Sequence, residues 1–256
     1  MLCPYCLLEM VNKDNCQFCG HPADGADLQW WVKLSDYNYP TDLQAYSGKN
    51  NYPGYFNLRP NNRESTIRFE DHFRQTIMSS DLQIGLFLEV VYWKMYSQRG
   101  RAEIRTDAMA TFLSADGDRT SGLKKAIDNF VLHPSNKNAT LLISACGLRS
   151  RTIAVAFTFP ALYRPDLYPM VDKRVAKWVN NKLTEQNLRR TKLIPFRMSQ
   201  TSLQMDDFNA YLCWVEWCRE QALLLNTLQP KINWRPRDVE MACFTDTTHE
   251  LPALKG

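Results

Sequence analysis

The sequence lacks a run of apolar residues long enough to span a membrane. Its longest nearly uncharged stretch comprises residues 138–145 and 153–163, and Arg149 and Arg151 divide it. A membrane-spanning helix needs about 18 to 20 consecutive apolar residues. The N-terminus also lacks a basic stretch followed by an apolar run, which is the pattern of a secretory signal. We therefore expect a cytoplasmic protein with no membrane partner.

Segments that alternate apolar and polar residues, as half-buried β-strands do, are also missing. From about Ile67 onward the apolar residues recur with helical spacing instead. Residues 82–96 are apolar nearly all round, which predicts a central buried helix. The sequence predicts an all-α main domain over residues 67–256, and hydrophobic residues make up 45% of the chain, as in a typical globular protein.

Acidic residues are scarce in one part of the chain. Residues 136–200 carry 12 basic and 3 acidic side chains, whereas residues 1–135 carry 14 and 16, and residues 201–256 carry 5 and 8. A concentrated positive segment is expected in a protein that neutralises nucleic-acid phosphates. A solvated basic face without a partner accounts for the same charges, so the charge pattern alone leaves both alternatives open.

Four of the eight cysteines lie in the first 19 residues and form two C-x2-C pairs, Cys3 with Cys6 and Cys16 with Cys19. Two such pairs supply the four thiolates of a closed, tetrahedral zinc site. A reducing cytoplasm disfavours the alternative, which is disulfide bonds. We predict that residues 1–23 form a small module held together by one structural Zn²⁺.

Residues 24–66 combine aromatic side chains with Asn, Asp, Gly and Pro and show little helical periodicity. This composition predicts an aromatic-rich loop or insert. Its aromatic side chains either pack against the main domain or present ring faces to a sugar-bearing ligand. They are Trp30, Trp31, Tyr37, Tyr39, Tyr46, Tyr52, Tyr55 and Phe56.

Gly147 lies between two helical segments, one that ends at Ala145 and one predicted over Ser150 to Tyr163. A glycine permits the sharp turn that joins them. The backbone N–H groups after the turn lie near a helix start, where unpaired N–H groups attract an anion, and Arg149 and Arg151 add positive charge. We expect this helix–turn–helix element to bind a DNA phosphate without reading the base sequence. Further along, Asp172 directly precedes a predicted helix and has the position of an N-cap.

The turn and the downstream aspartate together resemble the helix-hairpin-helix base-excision DNA glycosylases. Their hairpin reads approximately L-P-G-V/I-G-x-K/Y-T-A, and Ala145–Ile153 occupy this place. Their catalytic aspartate lies in a V-D-x-x-V/I context, which Val171–Val175 match. The resemblance is firmest over residues 136–180, is weaker over 67–250 and does not cover residues 1–66.

The resemblance implies a two-lobed helical fold that binds double-stranded DNA, flips a base out of the helix and excises it. Asp172 would be the catalytic carboxylate, because cleavage of the base–sugar bond develops positive charge on the deoxyribose. The residues implied in DNA binding are Gly147, Leu148, Arg149, Ser150, Arg151 and Thr152.

Three departures from the family pattern refine this prediction. Arg149 replaces the second glycine of the hairpin. Arg151 stands where members with lyase activity carry a nucleophilic lysine, and a guanidinium does not form a Schiff base. The cysteines after the hairpin are too few and wrongly spaced for the iron–sulfur cluster of some relatives. We therefore expect a monofunctional, monomeric enzyme that leaves an intact abasic site and holds no iron–sulfur cluster.

Glu89 and Lys94 are charged residues within the apolar segment 82–96. Buried charges are costly unless they are paired, so either residue is a candidate for lining the base pocket. For Lys94 the alternative is that its long side chain reaches solvent from the helix end.

The sequence does not identify the target base. The aromatic segment favours a bulky base such as glucosylated hydroxymethylcytosine, which would make the protein a defence enzyme against bacteriophages. The alternatives are a repair glycosylase for small base lesions, a non-catalytic DNA-binding protein, and a zinc-dependent interaction module on a helical scaffold.

Overall fold

The structure is a computed structural model that describes residues 26–39, 60–79, 84–96, 99–115, 119–147, 153–185, 192–197, 203–247 and 251. All regular secondary structure in these ranges is helical, so the predicted all-α class is confirmed. The helices are α1 (Ala26–Ser35), α2 (Arg63–Ile77), α3 (Ile84–Met95), α4 (Arg99–Ser114), α5 (Arg119–Leu132), α6 (Asn136–Ala145), α7 (Ile153–Ala156), α8 (Thr158–Tyr163), α9 (Lys173–Glu185), α10 (Phe208–Leu228) and α11 (Pro236–Thr245), with a 3₁₀ turn at Met205–Asp207 before α10.

The helix α3 lies at the centre of the core, as its all-round apolar sequence predicts. Every residue from 85 to 94 is buried. The Phe87 ring packs against Phe73 of α2 and Phe159 of α8, with centroids 6.3 and 5.7 Å apart. On another face, α3 packs along α4. A helix surrounded in this way needs few polar side chains, which makes Glu89 and Lys94 exceptional within it.

The expectation of a loop throughout residues 24–66 is wrong for residues 26–35, which form α1. This helix packs against α11. Trp30 and Leu34 are fully buried, and Leu28 and Trp31 nearly so. A ten-residue helix is only marginally stable in isolation, and burial of these large side chains against α11 stabilises it. The short apolar pattern of residues 26–35 does not reveal such tertiary contacts.

Helix boundaries differ from the predicted ones where polar residues set them. The helix α2 begins at Arg63, four residues before the predicted start, because the Asn62 side chain accepts a hydrogen bond from the backbone N–H of Ser65 and caps the helix. The predicted helix over 150–163 is present as the short helices α7 and α8, and residues 148–152 lie outside the described ranges.

None of the helices described is both long and apolar enough to cross a membrane.

Candidate active site

Asp172 is the N-cap residue of α9. Its Oδ1 accepts hydrogen bonds from the backbone N–H groups of Arg174 and Val175, both at 2.9 Å. The start of a helix carries partial positive charge, which favours a carboxylate there. Oδ1 thus satisfies the start of the helix, Oδ2 takes no part in the cap, and the side chain is 21% exposed.

Oδ2 faces Lys94, which projects from the last turn of α3. The Lys94 Nζ lies 3.6 Å from Oδ2, and its side chain is only 6% exposed. Burial lowers the pKa of Lys94, the negative charge of Asp172 raises it, and the positive charge of Arg237 lowers it further. The structure thus joins two residues that the sequence indicated separately, 78 positions apart.

The segment that leads into Asp172 is held rigidly by α10. The Tyr211 hydroxyl donates to the carbonyl oxygen of Pro169 at 3.2 Å, and Trp214 Nε1 donates to that of Met170 at 3.0 Å. Both aromatic residues are completely buried. Their hydrogen bonds satisfy two carbonyl groups that would otherwise be unpaired in the core, and they fix the backbone just before the carboxylate.

Two tyrosines of the aromatic segment border the Asp172–Lys94 pair. The Tyr39 hydroxyl donates to the backbone carbonyl of Lys94 at 2.9 Å and so supports the end of α3. Burial raises the pKa of Tyr39, and the charge of Asp172 raises it further. Tyr37 is equally buried and forms a hydrogen bond with Arg237. Sequence reasoning did not assign these tyrosines to the site, because it placed them in a loop.

A network of buried ion pairs lies next to Lys94 and joins α2 to α11. Arg237 forms ion pairs with Glu240 and, at 3.5 Å, with Glu70. Arg235 pairs with Glu70 at 2.6 Å and with Asp238 at 2.9 Å. Burial alone would raise the pKa of Asp238, but the neighbouring arginine charges outweigh it and lower this pKa to about 2. The sequence offered only one signal for this network, which is the density of charges over 235–240.

Glu89 is fully buried on α3, and among the described residues neither of its carboxyl oxygens accepts a hydrogen bond. Burial raises the pKa of Glu89 to about 9, so the carboxyl group is neutral at pH 7. The structure does not bring Glu89 into an ion pair with Lys94. Its predicted pocket role therefore remains a prediction, whereas Lys94 contacts the candidate catalytic residue.

The predicted hairpin is described only on its first side. Gly147 has a φ of +63°, a left-handed conformation that glycine adopts without steric strain and that suits a sharp turn. A Cβ atom added to Gly147 would lie 2.7 Å from the Cβ of Phe112, so the turn also approaches α4 closely. The remaining hairpin residues, 148–152, lie outside the described residues, and the chain re-enters them at Ile153, whose N–H donates to the carbonyl of Leu203 at 3.2 Å.

A cleft of about 640 Å³ opens between α6, which is the first helix of the hairpin, and the start of α10. Amide and hydroxyl side chains line it together with a few apolar ones. Asp172 and Lys94 are not among the lining residues, so the chemistry of the side chains, rather than this cleft, identifies the candidate site. The lining residues are Asn136, Thr140, Ile143, Ser144, Met205, Asp206, Phe208 and Asn209.

The predicted zinc ligands Cys3, Cys6, Cys16 and Cys19 lie outside the described residues. Within the ranges that the structure describes, no group of three or more His, Cys, Asp or Glu side chains is placed to hold a metal ion. Cys146, Cys218 and Cys243 are buried free thiols, and Cys213 is a half-buried one.

Comparisons with protein-family models, with curated proteins and with solved structures gave no match to this chain. The geometry around Asp172 and the motif residues of the sequence are therefore the features of this chain that point to a function.

Proposed function

We propose that the protein is a monofunctional DNA N-glycosylase that flips a modified base from double-stranded DNA and leaves an abasic site. The observation that carries the proposal is the environment of Asp172: a partly exposed carboxylate, fixed at a helix start, next to a nearly buried amine. Such a rigid charge is suited to a reaction that develops positive charge on a sugar.

In the proposed reaction the bond between C1′ and the base nitrogen breaks, and the deoxyribose becomes oxocarbenium-like. The Oδ2 atom of Asp172 stabilises this charge electrostatically. The same carboxylate accepts a proton from the water that attacks C1′. The flipped nucleotide would enter between two helical lobes, with the carboxylate beside its sugar.

DNA binding is proposed for the hairpin, from Gly147 to Thr152, and for the exposed side of α9. Residues 173–184 contain no acidic residue. Lys173, Arg174 and Lys177 are exposed and follow Asp172 within two turns. Phosphates gripped here would lie close to the carboxylate, which is the arrangement that base excision needs.

The test uses Asp172→Asn, because asparagine is as good an N-cap as aspartate but carries no charge. We expect at least about a hundredfold loss of base release with DNA affinity kept, measured below the melting temperature of the variant because Lys94 loses its ion-pair partner. Asp166→Asn, which changes an exposed aspartate six positions earlier, is the matched control and should excise normally. Asp172→Asn with the wild-type rate would overturn the assignment.

The rival function is DNA binding without catalysis. It predicts that the wild-type protein binds duplex DNA with steep salt dependence but releases no base from any substrate. A zinc-dependent interaction module predicts weak binding that hardly responds to salt. Mass spectrometry of bases released from a panel of modified DNAs, together with binding isotherms at several salt concentrations, separates the three.

The same panel of modified DNAs measures which base the protein releases. Glucosylated hydroxymethylcytosine, the substrate expected of a phage-defence enzyme, is compared with small alkylated, oxidised and deaminated bases, as a repair enzyme would require. Four of the eight aromatic residues in 24–66 are buried core or site-supporting residues. Sugar stacking is therefore proposed only for Tyr46, Tyr52, Tyr55 and Phe56, which lie outside the described residues.

We also propose one structural Zn²⁺ on Cys3, Cys6, Cys16 and Cys19, on the strength of the paired spacing. Metal analysis of the purified, reduced protein should give one equivalent per chain. Substantially less zinc with the four thiols intact would contradict the proposal, as would a Cys3→Ser, Cys6→Ser variant that retains the full equivalent.

A further inference from the structure

Lys94 is an unusual residue to find beside a catalytic carboxylate. It lies in the last turn of a helix that is otherwise buried on all sides. Asp172 is the acidic residue that the described part of the chain places within ion-pair distance of its Nζ. The other charged side chain that acts on it is Arg237, and the phenols of Tyr37 and Tyr39 lie nearby. A lysine that only reached solvent from a helix end would not be 6% exposed.

A lysine that merely neutralised Asp172 would oppose catalysis, because it would weaken the negative charge that stabilises the sugar. The pair is productive when the two charges act on opposite products of the same bond cleavage. The carboxylate then faces the sugar, which becomes positive, and the ammonium faces the base, which becomes negative. A separation of 3.6 Å is short enough for both groups to border one glycosidic bond.

We propose that Lys94 donates a proton to the departing base, and that the site therefore acts on uncharged bases rather than on cationic, N-alkylated ones. This inference rests on the proposed glycosylase function and goes beyond it by assigning a leaving-group acid and a substrate class.

The C1′–N bond breaks and its electron pair goes to the base. The Lys94 ammonium transfers one proton to a nitrogen or oxygen of that base and becomes an amine. Water adds to C1′ and gives a proton to Asp172, and solvent restores both side chains to their starting states. The products are a neutral free base and an abasic sugar, with no redox change.

A cationic base needs no such help, because it leaves as a neutral molecule when the bond breaks. Its positive charge would also lie close to the ammonium of Lys94 and the guanidinium of Arg237. The charge repulsion disfavours N-alkylated bases, and the proton transfer accelerates only uncharged ones, whether bulky or small.

The experiment measures single-turnover release from duplexes that carry uracil, 8-oxoguanine, glucosylated hydroxymethylcytosine or 7-methylguanine. We expect the wild-type protein to release at least one of the first three and to favour it over 7-methylguanine. Lys94→Met should slow release of that neutral base at least a hundredfold and raise the relative release of 7-methylguanine. Lys182→Met, which alters another nearly buried lysine, controls for loss of a buried charge, and melting temperatures and DNA affinities verify folding.

Lys94→Arg supplies the second variant. A guanidinium keeps its positive charge over the whole working range of pH but does not give up a proton, so this variant should stay about as slow as Lys94→Met, and recovery of the rate would show that Lys94 acts through its charge and not as an acid. In the wild-type protein, release of the neutral base should decline at alkaline pH as Lys94 loses its proton. Burial and the charge of Arg237 lower the pKa of Lys94, whereas the charge of Asp172 raises it. In Lys94→Arg the decline of base release at alkaline pH should disappear.

The possible failures are distinct. If the wild-type protein releases none of the bases, the proposed function itself fails. If it releases bases and Asp172→Asn abolishes this, but Lys94→Met slows neutral and cationic bases equally, only the role of Lys94 is overturned. A preference for 7-methylguanine overturns the substrate class. Borohydride trapping of DNA on Lys94 would show that the amine is a nucleophile instead of an acid.

Discussion

Asp172 divides its two carboxyl oxygens between two tasks. Oδ1 satisfies the start of α9, and Oδ2 faces Lys94. A carboxylate used in this way has no rotational freedom to lose when it meets a substrate, since the cap already fixes it. The capping and catalytic roles that compete as interpretations of Asp172 in the sequence are therefore compatible in one side chain.

Two glycines give a matched test of the hairpin turn. Gly147→Ala places a Cβ on a residue with φ of +63° and against Phe112, and we expect it to lower the free energy of unfolding by at least about 2 kcal/mol. Gly122→Ala, inside α5 with nothing within 4 Å of the new Cβ, should raise it by about 0.5 to 1 kcal/mol. Urea denaturation of the two variants measures both changes. Equal effects would show that the turn conformation at Gly147 is not as described.

At the scale of elements, α10 supports the candidate site. Its aromatic side chains hold the carbonyl groups just before Asp172, while Arg219 Nε donates to the carbonyl of Leu167 at 3.0 Å. The position of Asp172 therefore depends on a helix that begins 36 residues later in the chain. Such support is what keeps a functional side chain within the small tolerance that catalysis allows.

Removal of one of these hydrogen bonds should affect catalysis more than DNA binding. Tyr211→Phe leaves the buried carbonyl of Pro169 without its donor, which costs about 1 to 3 kcal/mol of stability. We expect a reduced rate of base release, with DNA affinity kept, because the carboxylate loses its fixed position. Tyr163→Phe, whose hydroxyl donates to the sulfur of Met78 instead of to this segment, is the control. An unchanged rate in Tyr211→Phe, measured below its melting temperature, would contradict the supporting role.

The elements also show what periodicity predicts and what it misses. The all-round apolar character of 82–96 predicts α3, and the repeat of Val175, Val179 and Leu183 predicts α9, because each pattern spans several turns. The short helix α1 escapes prediction because packing on α11 stabilises it and its own sequence does not. Tertiary contacts of this kind override local propensity.

The residues of the candidate site can be proposed one by one from the sequence, but not their arrangement. Asp172 is a candidate because of its motif, and Lys94 because of its position among apolar residues. Their contact joins α3 to the start of α9, and a single sequence offers no signal for such a pair. The ionic partners Glu70 and Arg237 were missed because charged residues are usually exposed, and nothing in their local sequence marks them as buried.

At the scale of the whole molecule, buried charge links the elements around the site. Arg63 and Glu70 of α2, Arg235 before α11, and Arg237 and Asp238 within α11 form one network next to Lys94. Breaking one member of such a network leaves an uncompensated charge in the core, which is strongly destabilising. The network therefore fixes how α2 and α11 meet, and the hydrogen bond between Arg237 and Tyr37 ties the segment after α1 to it.

Glu89 lies outside this network and should control how global stability varies with pH. Burial raises its pKa to about 9 in the folded protein, whereas the ordinary glutamate value is 4.5. A raised pKa means that the folded state retains a proton which the unfolded state releases. The stabilising contribution is therefore fully present below about pH 4.5 and is lost progressively as the pH rises to about 9, by about 1.4 kcal/mol per pH unit.

Replacement of this carboxyl by an amide removes the titration but keeps the shape and the hydrogen-bonding groups of the neutral acid. We expect Glu89→Gln to match the wild-type protein near pH 4 and to exceed its free energy of unfolding by on the order of 4 kcal/mol at pH 8. Glu216→Gln, at an exposed position of α10, should leave the pH profile unchanged. Urea denaturation at pH 4, 6 and 8 measures all three proteins. Parallel profiles for Glu89→Gln and the wild-type protein would contradict this prediction. They would mean that the pKa of Glu89 is the same in the folded and unfolded states. The Glu89 carboxylate would then be ionised in the folded protein and stabilised there by an ion-pair partner.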